Sequence, residues 1–244
     1  MVSETGRRTG ILSSSQADPQ EEALRIDLVS DFACPWCYVG RRRLAAALAE
    51  RPALPAEIHW HPFELNPDIP AGGVARERWW RERFGSPERL AGMLGQLVAV
   101  GLDLDIDFDF TAIEVQPNTR LAHELMHLAA RHARADELAE TLFAAHFARG
   151  KPIGDPETLA ALARGCGLPQ DEIEATLARR DDAATVADHL QQVREAGVTS
   201  VPTFILDGRH AFSGAQEPEF LLQVLDRLAA APGEAAVPSV SQDR

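Results

Sequence analysis

Apolar and polar residues change their spacing several times along this chain, and each change marks an element. Leu24-Arg25-Ile26-Asp27-Leu28-Val29 alternates and then turns apolar, which predicts a first strand running towards Cys34. Pro35 suits the first turn of a helix, and the run from Tyr38 to Glu50 is dominated by Ala, Leu and Arg, all strong helix formers. Pro52 and Pro55 end that helix. His59-Trp60-His61-Pro62-Phe63 predicts a second short strand, and the stretch from Asn66 to Gly73, with Pro67, Pro70 and paired glycines, predicts a loop.

From about residue 75 the period becomes helical. Ser86-Pro87-Glu88 supplies an N-cap, a first-turn proline and an early acid for a helix reaching Gly101. Asn118 and Thr119 cap another, to about Arg134, and further helices are predicted at 136–149, 155–165, 170–180 and 181–196. Strand character returns at Thr203-Phe204-Ile205-Leu206 and Arg209-His210-Ala211-Phe212. The Asp207-Gly208 between them is a strong hairpin signal. Glu217-Pro218 opens a last helix, with Phe220, Leu221, Val224, Leu225 and Leu228 spaced for one apolar face. Residues 1–22 and 232–244 lack periodicity and are expected to be disordered tails.

Composition narrows the function. Of 244 residues 45% are hydrophobic, enough to form a core, and the formal net charge of −13 repels phosphate backbones and anionic lipid. Neither nucleic acid nor membrane is expected as a partner. No stretch approaches a spanning segment and no signal-peptide core precedes Leu24, so a cytoplasmic location is expected. The three cysteines, Cys34, Cys37 and Cys166, are too few for a secreted disulfide framework. A Cys-x-x-Cys pair in the cytosol points instead to redox work or to a metal. Zinc would need two further ligands, and neither a second such pair nor a near partner for Cys166 exists, so no metal is expected.

Cys34-Pro35-Trp36-Cys37 stands where a predicted strand meets a predicted helix. Backbone N–H groups of the first helical turn are then expected to face the Cys34 sulfur. Such sites lower a cysteine pKa from about 8.5 into the range of roughly 3.5 to 7.5, and the thiolate is the attacking species. Cys37 lies within disulfide reach of Cys34 and can resolve a mixed disulfide formed there. Asp31, three residues upstream, would oppose a nearby thiolate or else carry the Cys37 proton. This chemistry requires a Cys34 sulfur that substrate can reach.

Asp31-Phe32-Ala33-Cys34-Pro35-Trp36-Cys37-Tyr38-Val39-Gly40 resembles the motif of the DsbA-like branch of the thioredoxin superfamily, particularly its cytosolic FrnE-like members. Pro62 to Pro67, Asn118-Thr119 with Ala122-His123, and Gly197 to Phe204 are similar to family segments in the family's order, so the likeness covers about residues 25–228. It implies an α/β thioredoxin fold with a large inserted helical domain. The thioredoxin-like part would be 23–72 and 197–231, and the insert 73–196. It further implies Cys34 as nucleophile, Cys37 as resolving thiol, and a cis Val201–Pro202 bond facing the pair as a backbone platform for an extended substrate. Pro35 and Trp36 would complete the substrate face. Trp36 brings no charge, unlike the histidine between the cysteines of strongly oxidising periplasmic relatives, so a less oxidising couple is expected.

The implied activity is thiol–disulfide oxidoreduction or isomerisation on protein or peptide thiols and disulfides, without a bound cofactor. Glutathione or another thiol reductant is a compatible partner, and a homodimer is left open. The second cysteine pair that some FrnE-like members carry near the C-terminus is absent from this sequence. Two rivals stand beside this reading. Kappa-class glutathione transferases and hydroxychromene-carboxylate isomerases share the fold but usually hold serine at the place of Cys34; a peptide-binding chaperone would need no turnover.

Other motifs compete for attention. His123-Glu124-Leu125-Met126-His127 matches the H-E-x-x-H of zinc metalloproteases. Asp103, Asp105, Asp107, Asp109, Thr111 and Glu114 occupy the spacing of a calcium loop, although Phe108 stands where glycine is needed. Leu104, Ile106 and Phe110 alternate there as an extended segment burying one face would. Arg41-Arg42-Arg43 is read as a solvated helix face, Trp79 and Trp80 as core or domain-interface residues, and Cys166 as a buried thiol.

Overall fold

A computed structural model describes residues 23–230, so the two terminal segments expected to be tails lie outside the described residues. Alternation in β1 (Leu24–Ser30) sends Leu24, Ile26 and Leu28 to one face of a four-stranded sheet. The order is β2 (Ala56–Pro62), β1, β5 (Thr203–Leu206), β6 (His210–Ser213). β1 runs parallel to β2, with Ile26 opposite Ile58, and antiparallel to β5, with Ile26 opposite Leu206. The β5–β6 hairpin turns where expected. Asp207 and Gly208 both take positive φ, the backbone that a tight hairpin turn demands and that Asp-Gly tolerates.

On the face bearing Leu24, Ile26 and Leu28 lie α1 (Pro35–Ala49) and α9 (Pro218–Ala230), and Leu44, Ala47, Leu221 and Val224 meet Phe204 in one apolar core. β2 is an edge strand, and α8 (Ala183–Glu195) packs against it. Between β2 and α8 the regular structure is mainly helical: α2 (Arg76–Phe84), α3 (Pro87–Leu102), α4 (Arg120–Arg131), α5 (Ala135–Phe147), α6 (Pro156–Gly165) and α7 (Gln170–Glu174). A π-helical turn, Ala175–Arg179, follows α7, and Arg180 ends it in the left-handed conformation. Ser86 and Asp155 cap α3 and α6 through their side chains, as their places before proline predict.

The helical layer joins the sheet through aromatic rings. Phe143 of α5 lies 5.0 Å from Phe32 and 5.1 Å from Tyr38, centroid to centroid, and Phe108 and Phe147 extend the cluster. Tyr38 Oη donates to Glu140 at 2.7 Å. Arg41 and Arg42 reach the same carboxylate at 2.8 and 2.6 Å. Arg43 is buried, donating to the Ala215 carbonyl at 2.6 Å and pairing with Glu217 at 2.8 Å. The three arginines are therefore clamps between α1 and its neighbours, not the solvated face read from the sequence. Their charges are met by acids distant in the chain, which local spacing cannot show.

Two further elements carried no sequence signal. Val74–Ala75 (β3) and Val115–Gln116 (β4) pair as a small second sheet, too short for any period, and α2 holds Trp79 and Trp80. Trp80 stacks over the buried Arg76 guanidinium at 3.7 Å and donates to Gln116. In the calcium-like segment Ile106, Phe108 and Phe110 are buried, and Asp109 is used internally, accepting from the Thr111 and Ala112 amides. Cys166 is buried and donates to the Thr141 hydroxyl at 3.5 Å.

His146 is buried in α5, and burial pulls its pKa from 6.5 to about 4. Between those values the unfolded chain binds this proton and the folded protein does not, so stability falls as pH drops through the window. The loss reaches about 3 kcal/mol below pH 4. Urea unfolding from pH 7 to 4 should show it, and His146→Gln should flatten that slope; an unchanged slope in the variant would assign the acid sensitivity elsewhere.

Candidate active site

The end of β1, the start of α1 and the loop before β5 converge on the cysteine pair. Cys34 is the N-cap of α1 and Pro35 its first-turn residue, so the helix begins immediately after the first sulfur. Cys34 is 6% exposed and Cys37 1%, and both are free thiols. Trp36 between them is half-buried and leans on the core of the helical layer. Cys34 is thus more enclosed than the sequence reading required. Of the two thiols, only Cys34 keeps appreciable surface for a partner to reach.

One electrostatic expectation is corrected. Cys34 makes no side-chain cap hydrogen bond, so no amide of the first turn holds its sulfur. Pro35 has no N–H to offer, and the thiol instead donates to the Val201 carbonyl at 3.8 Å. Cys37 contrasts with it: burial, reinforced by the neighbouring Cys34, pushes its thiol well above the ordinary range. The Asp31 amide and the Ser30 hydroxyl act against that shift, favouring the ionised sulfur.

The Val201–Pro202 peptide is cis, as the family resemblance implied. Its surroundings fix it on several sides. The Pro202 carbonyl accepts from the Gly214 amide at 2.8 Å, and Thr203 Oγ1 bonds both the Ser200 carbonyl and Ser213 Oγ. Gly40 of α1 faces Pro202, where a Cβ would stand 3.0 Å from Pro202 Cγ and 3.2 Å from the Phe204 ring. The missing side chain lets the cysteine helix approach the proline this closely without either ring giving way.

Asp31 is buried beneath the loop. Its oxygens accept from the Ala33 amide at 3.1 Å and the Leu65 amide at 2.7 Å, and burial raises its carboxyl. His123 Nε2 lies 4.0 Å from it and donates to the Phe63 carbonyl at 2.9 Å; burial lowers this imidazole. The other members of the H-E-x-x-H motif point elsewhere. Glu124 is fully buried with both oxygens held by Arg180, and His127 faces Asp182 and His189. Among the described residues no three His, Cys, Asp or Glu side chains are grouped to hold a metal ion.

The DSBA-like thioredoxin domain family matches the chain over residues 25–226. This protein is a member of that family. A probable DsbA oxidoreductase from Streptomyces coelicolor is 28% identical, with a TM-score of 0.75 over 89% of this chain and 94% of its own. A 2-hydroxychromene-2-carboxylate isomerase is 20% identical, with a TM-score of 0.65 over 84% and 96%. The cytosolic disulfide reductase DsbM of Pseudomonas aeruginosa is 20% identical, with a TM-score of 0.55 over 85% and 100%; its structure is also known with GSH. At 20% identity the last two show shared fold alone.

For this DSBA-like domain the structure brings Cys34, Cys37, Val201 and Pro202 together, with Pro35 and Trp36 beside them. Ser30, Gly40, Asp31 and His123 join them from the flanks. Asp31 was legible from its place three residues before Cys34. His123 carried a signal that pointed to the wrong chemistry, a metal motif. Ser30, inside an apolar run, carried none.

Proposed function

We propose that this chain is a thiol–disulfide oxidoreductase acting on protein or peptide disulfides through Cys34 and Cys37, without a bound cofactor, and that it works in the cytoplasm in the reducing direction. Membership of the DSBA-like family supports the reaction class. The observation that carries the finer reading is the asymmetry of the pair: Cys34, slightly exposed, at the Val201 carbonyl that precedes the cis proline, and Cys37 closed in behind it. The Cys34 thiolate attacks a substrate disulfide, giving a Cys34–substrate mixed disulfide and releasing one substrate thiolate. Cys37, deprotonated, attacks the Cys34 sulfur, forming Cys34–Cys37 and expelling the second. Two electrons pass from the dithiol to the substrate. The resting dithiol is restored by an external thiol reductant, for which glutathione is suitable.

Val201, its carbonyl already turned to the cysteine, supplies the backbone with which an extended substrate pairs, and Pro35 and the half-buried Trp36 lie beside it between the two cysteines. The small exposed area of Cys34 favours a substrate cystine on a protruding, unfolded segment. No helix among the described residues is long and apolar enough to cross a membrane, which is compatible with the cytoplasmic assignment. The isomerase-like alternative is the weaker one here, since a resolving thiol behind the nucleophile has no use in a monothiol or serine mechanism.

Trapping tests this. Cys37→Ser removes the resolving group but leaves the attacking one, so incubation with a disulfide-bonded peptide should accumulate a covalent adduct at Cys34, detected by mass spectrometry and released by dithiothreitol. No adduct, with turnover retained, would refute the dithiol mechanism.

A further inference from the structure

A cavity of about 560 Å³ lies behind the redox loop, between the β2 edge strand and α4, α5 and α8. Imidazoles line it to an unusual degree: His59 and His61 from β2, His123 and His127 from α4, and His189 from α8. Ser30 and Phe32, which lead directly into the cysteine pair, line it as well. Ser30 is 1% exposed, and its hydroxyl, short of full hydrogen-bond geometry with any group, acts on the Cys37 sulfur. A buried hydroxyl normally has a partner, so this one calls for an explanation.

Closure of the Cys34–Cys37 disulfide supplies one. Cys37 must lose a proton before it attacks, yet it is sealed from solvent on the side that faces substrate. We propose that Ser30 links the Cys37 sulfur to the histidine-lined cavity, and that His123 and its neighbours there take up and return the proton exchanged at each turnover. This rests on the dithiol mechanism proposed above. The Cys37 thiol gives its proton to Ser30 Oγ as that hydroxyl passes its own into the cavity. A cavity this size has room for water held by its imidazoles, and although burial lowers His123, the Asp31 and Glu64 carboxylates favour its protonated ring. The thiolate then breaks the Cys34–substrate bond, and the departing substrate sulfur is protonated from solvent. The electron count is that of the dithiol reaction, and no further oxidant is involved.

The charged groups around the route are already matched. From β1, Asp27 accepts from His61 at 2.7 Å and from Arg25. Within β2, Glu57 lies 3.7 Å from His59. Before α4 and beneath the loop, Asp31 stands 4.0 Å from His123, with Glu64 and Arg120 acting on the same ring. Ahead of α8, Asp182 faces His127 at 3.8 Å; at the head of α5, Asp136 accepts from Trp60. Each imidazole except His189 thus has a carboxylate nearby to stabilise a transient positive charge, and His189 contacts His127.

Ser30→Ala is the decisive variant. Loss of the hydroxyl's support for the ionised Cys37 sulfur alone would shift closure to higher pH, leaving its rate on the alkaline plateau and the melting temperature unchanged. A proton route predicts a fold of native stability in which disulfide closure slows by roughly 100-fold across the pH range. Stopped flow of the reduced protein against a disulfide peptide resolves two phases: adduct formation at Cys34, first order in peptide, and closure by Cys37, independent of it. Only the second should slow. His123→Gln keeps a donor for the Phe63 carbonyl but cannot hold a proton, and should slow the same phase while removing one ionisation from its pH profile. Closure at the native rate on the alkaline plateau in either variant overturns the proposal. Failure of the native protein to show the first phase would instead refute the dithiol reading, and the same traces distinguish the two.

Discussion

Cys34→Ser is expected to abolish thiol–disulfide exchange while leaving the fold intact. Reduction of insulin disulfides by a thiol reductant should fall to the uncatalysed rate, a loss on the order of 10³-fold or more, since the other thiol of the pair, Cys37, is closed off from an external disulfide. Serine is smaller than cysteine and the site makes only one long hydrogen bond, to the Val201 carbonyl, which a hydroxyl can also donate. Melting temperature should therefore move little, and a peptide held by the cis-proline platform should still bind. That last readout separates the enzyme from a chaperone. Retained binding without exchange is the signature expected here; retained exchange would exclude Cys34 as the nucleophile.

Phe143→Ala should produce the largest loss of stability in the chain. Its ring is fully buried and packs against Phe32, Tyr38, Trp60 and Phe147, so it holds the redox loop, the cysteine helix and the helical layer at once. Removing it leaves a cavity that these rigid neighbours cannot collapse to fill, at about 3–5 kcal/mol. The loss corresponds to a melting temperature lower by roughly 10 °C. Because Phe32 precedes the cysteines by two positions, the same change should loosen the loop and speed alkylation of Cys37 in native buffer. A loss below about 1 kcal/mol, with Cys37 still protected, would show that the aromatic cluster is not what joins the two layers.

The strands and most helices were legible because their determinants are local. Alternation in Leu24 to Val29, proline after Ser86 and Asp155, and Asp207-Gly208 each constrain the backbone within a few residues. Errors arose where the deciding contact is far away in sequence. Arg41 to Arg43 look solvated on a helical wheel and are neutralised by Glu140 and Glu217. His123 and His127, whose zinc spacing was not taken as a metal site, are likewise placed by distant partners, one by Phe63 and Asp31 and the other by Asp182. The amide cradle expected for Cys34 failed because Pro35 removes a donor and a carbonyl from Val201, across the fold, accepts the thiol's hydrogen instead.

By itself the sequence determined the reactive pair, its place at a strand–helix junction, the helical interruption of an α/β domain and the hairpin that follows it. Chemical identity and short-range backbone preference suffice for all of these. Only the tertiary structure decided which thiol is the more enclosed, which carbonyl meets Cys34, that Gly40 admits Pro202, and that histidines from two helices and a strand share one cavity behind Ser30. Those features are set by burial and by contacts between distant segments, which arise only when apolar faces pack together and force the polar groups they carry to find partners.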